Sequence, residues 1–242
     1  MKKILAIGNS FSQDATAYLY ELALAAGEEL KIVNLYIGGC PLSRHAFNAL
    51  GRERDYKLEY NGFLTNFDVS IYDALKNEPW DVITLQQASH LSFRYETYQP
   101  YLETLRDYIH TYAPTAELMV HQTWAYEEGS ERLAAFGFET AAAMFADVRA
   151  AYAKAAAFLH ARLLPSGDAI RRAAELDLVR MYRDGYHLSF GAGRYTAACV
   201  WLETILSISA AGNPFDATTE PLTRELRAAL ADCAHAAVAA TL

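Results

Sequence analysis

A serine that is to attack a carbonyl needs a hydroxyl exposed at the tip of an element, a base within hydrogen-bond reach, and N–H groups aimed at the oxygen that gains charge. In this chain of 242 residues Ser10 meets the first requirement, because it follows the apolar run Ile4-Leu5-Ala6-Ile7 and the pair Gly8-Asn9. That position is the first turn after a strand, where helix N–H groups have no intrahelical acceptor. The same residues also spell Ser10-Phe11-Ser12-Gln13, a capping box in which the hydroxyl would satisfy a helix N–H instead. Ser12 is a competing nucleophile, placed further along the helix and away from the strand tip.

Of the seven histidines, His187 has a carboxylate three residues earlier across a glycine, in Asp184-Gly185-Tyr186-His187. A loop of that length lets Asp184 reach the imidazole Nδ1, fix the tautomer and leave Nε2 free to take a proton. The alternative is that both residues cap the helix beginning near Ser189. His45, His90, His110, His121, His160 and His235 lack such an acid and read as surface or rim residues. No H-E-x-x-H pattern occurs, and Cys40, Cys199 and Cys233 are far apart and odd in number, so neither a metal site nor a disulfide framework is expected. Cys40, beside Gly39, has no recognisable charge partner and reads as buried and inert.

The elements that must position these groups alternate between strand and helix. Apolar runs at residues 4–7, 31–37, 81–85 and 117–122 read as strands, with a fifth near 158–164 unless the preceding Ala-rich helix extends through it. Helical spacing marks 12–26, 68–77, 96–112, 139–157, 190–211 and 219–240; in the first, Ala15, Tyr18, Leu19, Leu22 and Ala26 recur at that period. Unbroken apolar strands imply a mostly parallel sheet with helices on both faces. The expectation is therefore one doubly wound α/β domain over residues 1–242, a three-layer sandwich with about five strands. Residues 42–65 show no period and read as an excursion over the sheet rim. In such folds chemistry gathers beyond the carboxyl ends of the strands. Those loops here begin Gly8-Asn9-Ser10, Gly38-Gly39-Cys40, Gln86-Gln87-Ala88-Ser89 and Thr123-Trp124-Ala125-Tyr126.

Composition narrows the function classes. The formal net charge is −8, with no basic run longer than a pair, which disfavours a nucleic-acid partner. The apolar stretches are too short to span a membrane, and the N-terminal one is too short for a signal peptide. A cytoplasmic protein is expected.

A near-N-terminal strand ending Gly8-Asn9-Ser10, with Asp184-x-x-His187 leading into a C-terminal helix, resembles the SGNH, or GDSL-type, serine hydrolases. The likeness spans most of the chain. It implies Ser10 as nucleophile and Asp184 and His187 as its partners. It also implies an oxyanion hole made of the Ser10 N–H, a glycine after the second strand (Gly39 ahead of Gly38) and an amide after the third. Two departures stand out: Asn9 occupies the position of the family's usual Asp, and Gln86-Gln87-Ala88-Ser89 replaces its Gly-x-Asn-Asp. Gln86 is preferred over Gln87 as the amide, because neighbouring side chains on a strand point to opposite faces. Gln87 and Trp124 are left to face the substrate, and Tyr126 could join Trp124 in walling an acyl or sugar pocket.

The resemblance implies hydrolysis of small carboxylic esters, including O-acetyl groups on carbohydrates, without a cofactor. An acyltransferase would use the same residues. The competing reading is a protein that binds a glycan or acylated ligand without turning it over. A nucleotide-binding role is weaker, since neither G-x-G-x-x-G nor G-x-x-x-x-G-K-[ST] is present.

Overall fold

A computed structural model describes residues 1–241. The first half runs β1 (Lys2–Gly8), α1 (Ser10–Thr16), α2 (Leu19–Ala25), β2 (Leu30–Tyr36), α3 (Leu42–Gly51), β3 (Tyr56–Tyr60), β4 (Phe63–Val69), α4 (Ile71–Asn77), β5 (Val82–Leu85) and α5 (Tyr101–Tyr112). The second half continues with β6 (Glu117–His121), α6 (Glu131–Ala135), α7 (Ala141–Leu159), β7 (Arg162–Leu164), α8 (Ser166–Glu175), α9 (Ala192–Leu206) and α10 (Arg224–Ala239).

The strands form one sheet in the order β4-β3-β2-β1-β5-β6-β7. β1 pairs in parallel with β2 and β5, and the parallel run continues through β6 to β7. This is the doubly wound α/β arrangement expected from the apolar runs. Ile4, Leu5, Ala6 and Ile7 are all fully buried, as they must be when helices cover both faces of a central strand.

The expected five strands become seven. β3 and β4 form an antiparallel hairpin that extends the sheet beyond β2; it begins in the 42–65 stretch that showed no period, which also holds α3, and runs on to Val69, into the start of the helix expected at 68–77. The reason is physical: Phe63, Leu64 and Phe67 of β4 are each at least 60% exposed, so this edge strand has no buried face to impose a hydrophobic pattern. β7 is also shorter than expected. The Ala-rich α7 runs through Leu159 and stops at His160, which takes a left-handed backbone with φ of 50°.

Helices α1, α2, α8, α9 and α10 pack together on one side, and α3, α4, α5 and α7 on the other. Twelve of the fifteen α9 residues are buried, so α9 is an inner helix covered on most sides; α10 lies across it and α8. Strand order reverses between β1 and β5, which opens a crevice at their carboxyl ends. Asn9 and Ser10 follow β1 there, and Gln86 follows β5. Among the described residues no helix is long and apolar enough to cross a membrane.

Candidate active site

The cap of α1 is Asn9 rather than Ser10. Its Oδ1 accepts the Phe11 N–H at 3.0 Å, while its own N–H donates to Ser12 Oγ at 3.1 Å. The capping box therefore sits one residue earlier than the Ser10…Gln13 alternative, and Ser10 becomes the first helical residue with its hydroxyl free of capping. Gly8 is needed at this turn, because a Cβ there would lie 2.2 Å from Ser12 Oγ and 3.2 Å from Gln86 Cδ. Ser12 is fully buried, and its single hydroxyl proton is shared between the Asn9 carbonyl and Asn34 Oδ1, which removes it from contention as a nucleophile.

Ser10 Oγ lies 2.9 Å from His187 Nε2. On the other side of the ring, Nδ1 is 2.7 Å from Asp184 Oδ2. The loop folds back through Gly185, whose φ of +86° suits glycine, and Asp184 Oδ1 then accepts the His187 N–H at 2.8 Å and the Tyr186 N–H at 3.3 Å. Burial by itself would raise the Asp184 carboxyl. The hydrogen bonds from the His187 ring and backbone, with His187's charge and the Tyr186 N–H, outweigh it and hold the group below the ordinary aspartate value. An ionised Asp184 that accepts from Nδ1–H leaves Nε2 as an acceptor for the Ser10 hydroxyl. The imidazole is held from the side by Tyr186, centroid to centroid 3.9 Å, and by the edge of Phe11 at 6.0 Å.

A buried carboxylate joins the two segments. Asp14, on α1 and fully buried, accepts from Arg183 Nη1 at 2.9 and 3.0 Å, from Arg194 Nε at 2.8 Å and from the Leu188 N–H at 3.0 Å. Arg183 also donates to the Leu188 carbonyl. The helix that begins with Ser10 is thereby clamped to the residues on either side of the Asp184–His187 loop.

Not every residue expected at the site reaches it. Gly39 does: it borders the same cleft of about 350 Å³ as Ser10 and His187. Gln86 does not. Its amide is buried and committed at both ends, with Nε2 donating to Asn9 Oδ1 at 2.8 Å and Oε1 facing His121 Nδ1 at 2.6 Å. Gln87 is also buried; its Oε1 accepts from the Leu42 and Ala88 N–H groups and its Nε2 donates to Thr97. Trp124 is fully buried, stacked on Phe11 at 4.3 Å and donating to the Tyr186 carbonyl, so it braces the floor beneath the His187 loop. It borders, with Tyr126, a second and apolar cavity of about 270 Å³ instead of the Ser10 cleft.

The rim expectation fails for His45 and His121, both fully buried. Burial pushes each down to about 3, with Arg44 adding to the effect at His45. Cys40 is buried as expected, and burial pushes its thiol up to about 12, which makes it a poor nucleophile. Among the described residues there is no cluster of three or more His, Cys, Asp or Glu suited to a metal.

The cleft brings in residues that sequence did not single out, notably Tyr36, Ser89, His90 and Arg132. Ser89 was visible as the fourth residue of the loop after β5, at the fourth position of the family's Gly-x-Asn-Asp. Asp14 and Arg183 gave no signal beyond a charge near each motif, since they are 169 residues apart.

The sequence profile of DUF4886, a domain of unknown function, matches residues 3–237. The chain belongs to the DUF4886 family. A solved DUF4886 protein from Bacteroides uniformis is 37% identical to it, with a TM-score of 0.90 over 98% of this chain and 95% of that one. A protein from Slackia heliotrinireducens, described as a candidate SGNH hydrolase, is 26% identical, with a TM-score of 0.59 over 84% of this chain and 98% of that one. An acetylxylan esterase from Geobacillus stearothermophilus shares the fold at 17% identity, with a TM-score of 0.55 over 84% and 94%. No curated protein matches the sequence. The fold of this DUF4886 member is thus the SGNH-hydrolase type that its outer motifs suggested.

Proposed function

We propose that this protein is a serine hydrolase of small carboxylic esters, with Ser10 as nucleophile, His187 as base and Asp184 as the group that orients and stabilises the imidazole. The observation that carries this reading is the unbroken contact series from Ser10 Oγ through both ring nitrogens of His187 to Asp184, at 2.9 and 2.7 Å. As Ser10 Oγ bonds to the ester carbon, its proton passes to Nε2. Collapse of the tetrahedral intermediate expels the alcohol, which takes that proton, and leaves an acyl-serine. Water then attacks the acyl carbon, gives a proton to His187, and releases the acid as the serine recovers it.

The oxyanion is received by the N–H groups of Ser10 and Gly39. Neither is used inside the protein among the described residues, and both border the cleft. Ser89 supplies the third polar group in place of Gln86; it is half-buried at the cleft, with its Oγ 3.1 Å from the Tyr126 hydroxyl. O-acetyl groups on carbohydrates fit the polar lining, and an acetylxylan esterase shares the fold.

A fluorophosphonate probe tests the assignment. A covalent adduct mapped to Ser10, abolished in Ser10→Ala and suppressed in His187→Ala, is the expected outcome. Absence of labelling in the folded protein, together with absence of ester turnover, would overturn it. The loss of the Gln86 amide from the cleft favours the binding-only alternative, and saturable binding of an acetylated sugar without labelling is what that alternative requires.

A further inference from the structure

The cleft beside Ser10 has no carboxylate among its lining residues, although acidic residues outnumber basic ones 29 to 21 in the chain. Its lining includes two arginines, Arg132 and Arg183, with His90 and His187. Arg183 is paired with Asp14, a carboxylate it shares with Arg194. Arg132 is different. Glu127 is taken by Arg180 at 3.0 Å, and Glu128 accepts the Ala141 N–H at the start of α7 at 2.8 Å. Glu131, next to Arg132 on α6, does not border the cleft, and Asp184 lies behind His187 on the ring's other nitrogen. Among the described residues Arg132 forms no ion pair.

Its position is set by stacking. The guanidinium carbon lies 3.8 Å from the centroid of the Tyr186 ring, and that ring lies 3.9 Å from the centroid of His187. The cation is therefore within about 8 Å of the imidazole that faces Ser10. A flat guanidinium anchored on an aromatic face, with one N–H turned to the Tyr126 hydroxyl, keeps further N–H groups for a second planar partner, and a carboxylate is the partner its fork geometry matches. Ser10 and Arg132 border the same cleft, so an ester carbon at Ser10 and an acid group at Arg132 can belong to one small molecule.

We infer that the site selects esters carrying a carboxylate close to the scissile bond, with Arg132 as the residue that pairs with it. The catalytic part of this inference rests on the hydrolase assignment above; the recognition part does not. An O-acetylated uronic acid places the carboxylate on the alcohol side, and a hemisuccinate ester places it on the acyl side.

The experiment compares each of these with its uncharged counterpart, an O-acetylated neutral hexose and a butyrate ester of the same alcohol. The measured quantity is the ratio of kcat/KM within each pair. For the wild type a ratio of about ten is expected in at least one pair, shrinking at high salt. Arg132→Lys, which keeps the charge, retains most of the ratio; Arg132→Gln brings it to about one. Because both members of a pair are read in the same protein sample, partial misfolding of a variant cancels. The pair that shows the preference identifies the side of the ester on which the acid sits. A wild-type ratio near one in both pairs, or a ratio unchanged in Arg132→Gln, overturns the inference even if Ser10 is labelled by the fluorophosphonate. If Ser10 is not labelled and nothing is turned over, the same question is put by calorimetry with the O-acetylated uronic acid and the neutral hexose ester. Tighter binding of the acid that is lost in Arg132→Gln supports the inference without the hydrolase reading, and equal binding overturns it.

Discussion

Asp14 places its two carboxylate oxygens 2.9 and 3.0 Å from a single guanidinium nitrogen of Arg183, the residue that immediately precedes Asp184. With Arg194 and the Leu188 N–H on the same carboxylate, this buried ion cluster spans the joint between the serine-bearing helix and the histidine-bearing loop. Asp14→Asn leaves two guanidinium groups facing an uncharged amide. Removing one partner of a buried charge cluster costs roughly 3–5 kcal/mol, so urea unfolding should show a loss of that order. A loss under about 1 kcal/mol would mean that the cluster does not clamp the joint.

Asn9 performs a task that a carboxylate cannot. Its Nδ2 donates to the Cys40 carbonyl at 3.1 Å while its Oδ1 accepts from Gln86 and Phe11, so it ties the loop after β1 to the loop after β2 that carries Gly39. Asn9→Asp keeps the acceptor and sets an oxygen against the Cys40 carbonyl. The variant is expected to lose about 1–3 kcal/mol of stability and to lower kcat more than it raises KM, because the Gly39 N–H is no longer fixed. Unchanged stability and kcat would show that the amide donor is dispensable.

Asp184→Asn should leave the fold intact, since the side chain is 44% exposed. It removes the charge that stabilises the imidazolium and the acceptor that selects the Nδ1–H tautomer. A fall in kcat of about 10²–10⁴ is expected, with KM altered little. An effect below about fivefold would place Asp184 outside the machinery.

Two neighbouring positions should separate support from chemistry. Gln86→Ala strands His121 Nδ1 and leaves Asn9 Oδ1 with the Phe11 N–H alone, and should appear chiefly as a lower melting temperature. Ser89→Ala disturbs no such buried chain and should lower kcat about tenfold or more with little change in melting. The reverse pattern would return the oxyanion role to Gln86.

Acid sensitivity should come from His45 and His121. Their folded values near 3 lie below the ordinary 6.5, so below 6.5 the unfolded chain binds protons that the folded one excludes. Their contribution is complete above 6.5 and is lost as pH falls toward 3, at about 1.4 kcal/mol per pH unit for each histidine. In His121→Gln the pH dependence of stability between 6 and 4 should be shallower than in the wild type by about one proton. Equal slopes would show that His121 titrates normally in the folded state.

The strands buried on both faces were legible as apolar runs, and Ser10, Asp184 and His187, which the fold brings into one contact series, could be singled out from their immediate neighbours. What stayed hidden depends on partners distant in the chain. Gln86 has the right chemistry at the right strand end, but its amide is consumed by Asn9 and His121, contacts that no local pattern encodes. His45 and His121 read as rim residues because Tyr56 and Ser166, which meet their rings, come from other elements. β3 and β4 were missed because an exposed edge hairpin does not need the apolar periodicity by which buried strands are found.

Ser10 and His187 are separated by 177 residues, and in the proposed mechanism the serine reacts only while they touch. Covalent trapping of that serine thus doubles as an assay of global folding. On that mechanism a nascent polypeptide stays inert until the segment carrying His187 has been made and docked, and in denaturant the trapping signal should vanish in step with the cooperative loss of tertiary structure, not before it.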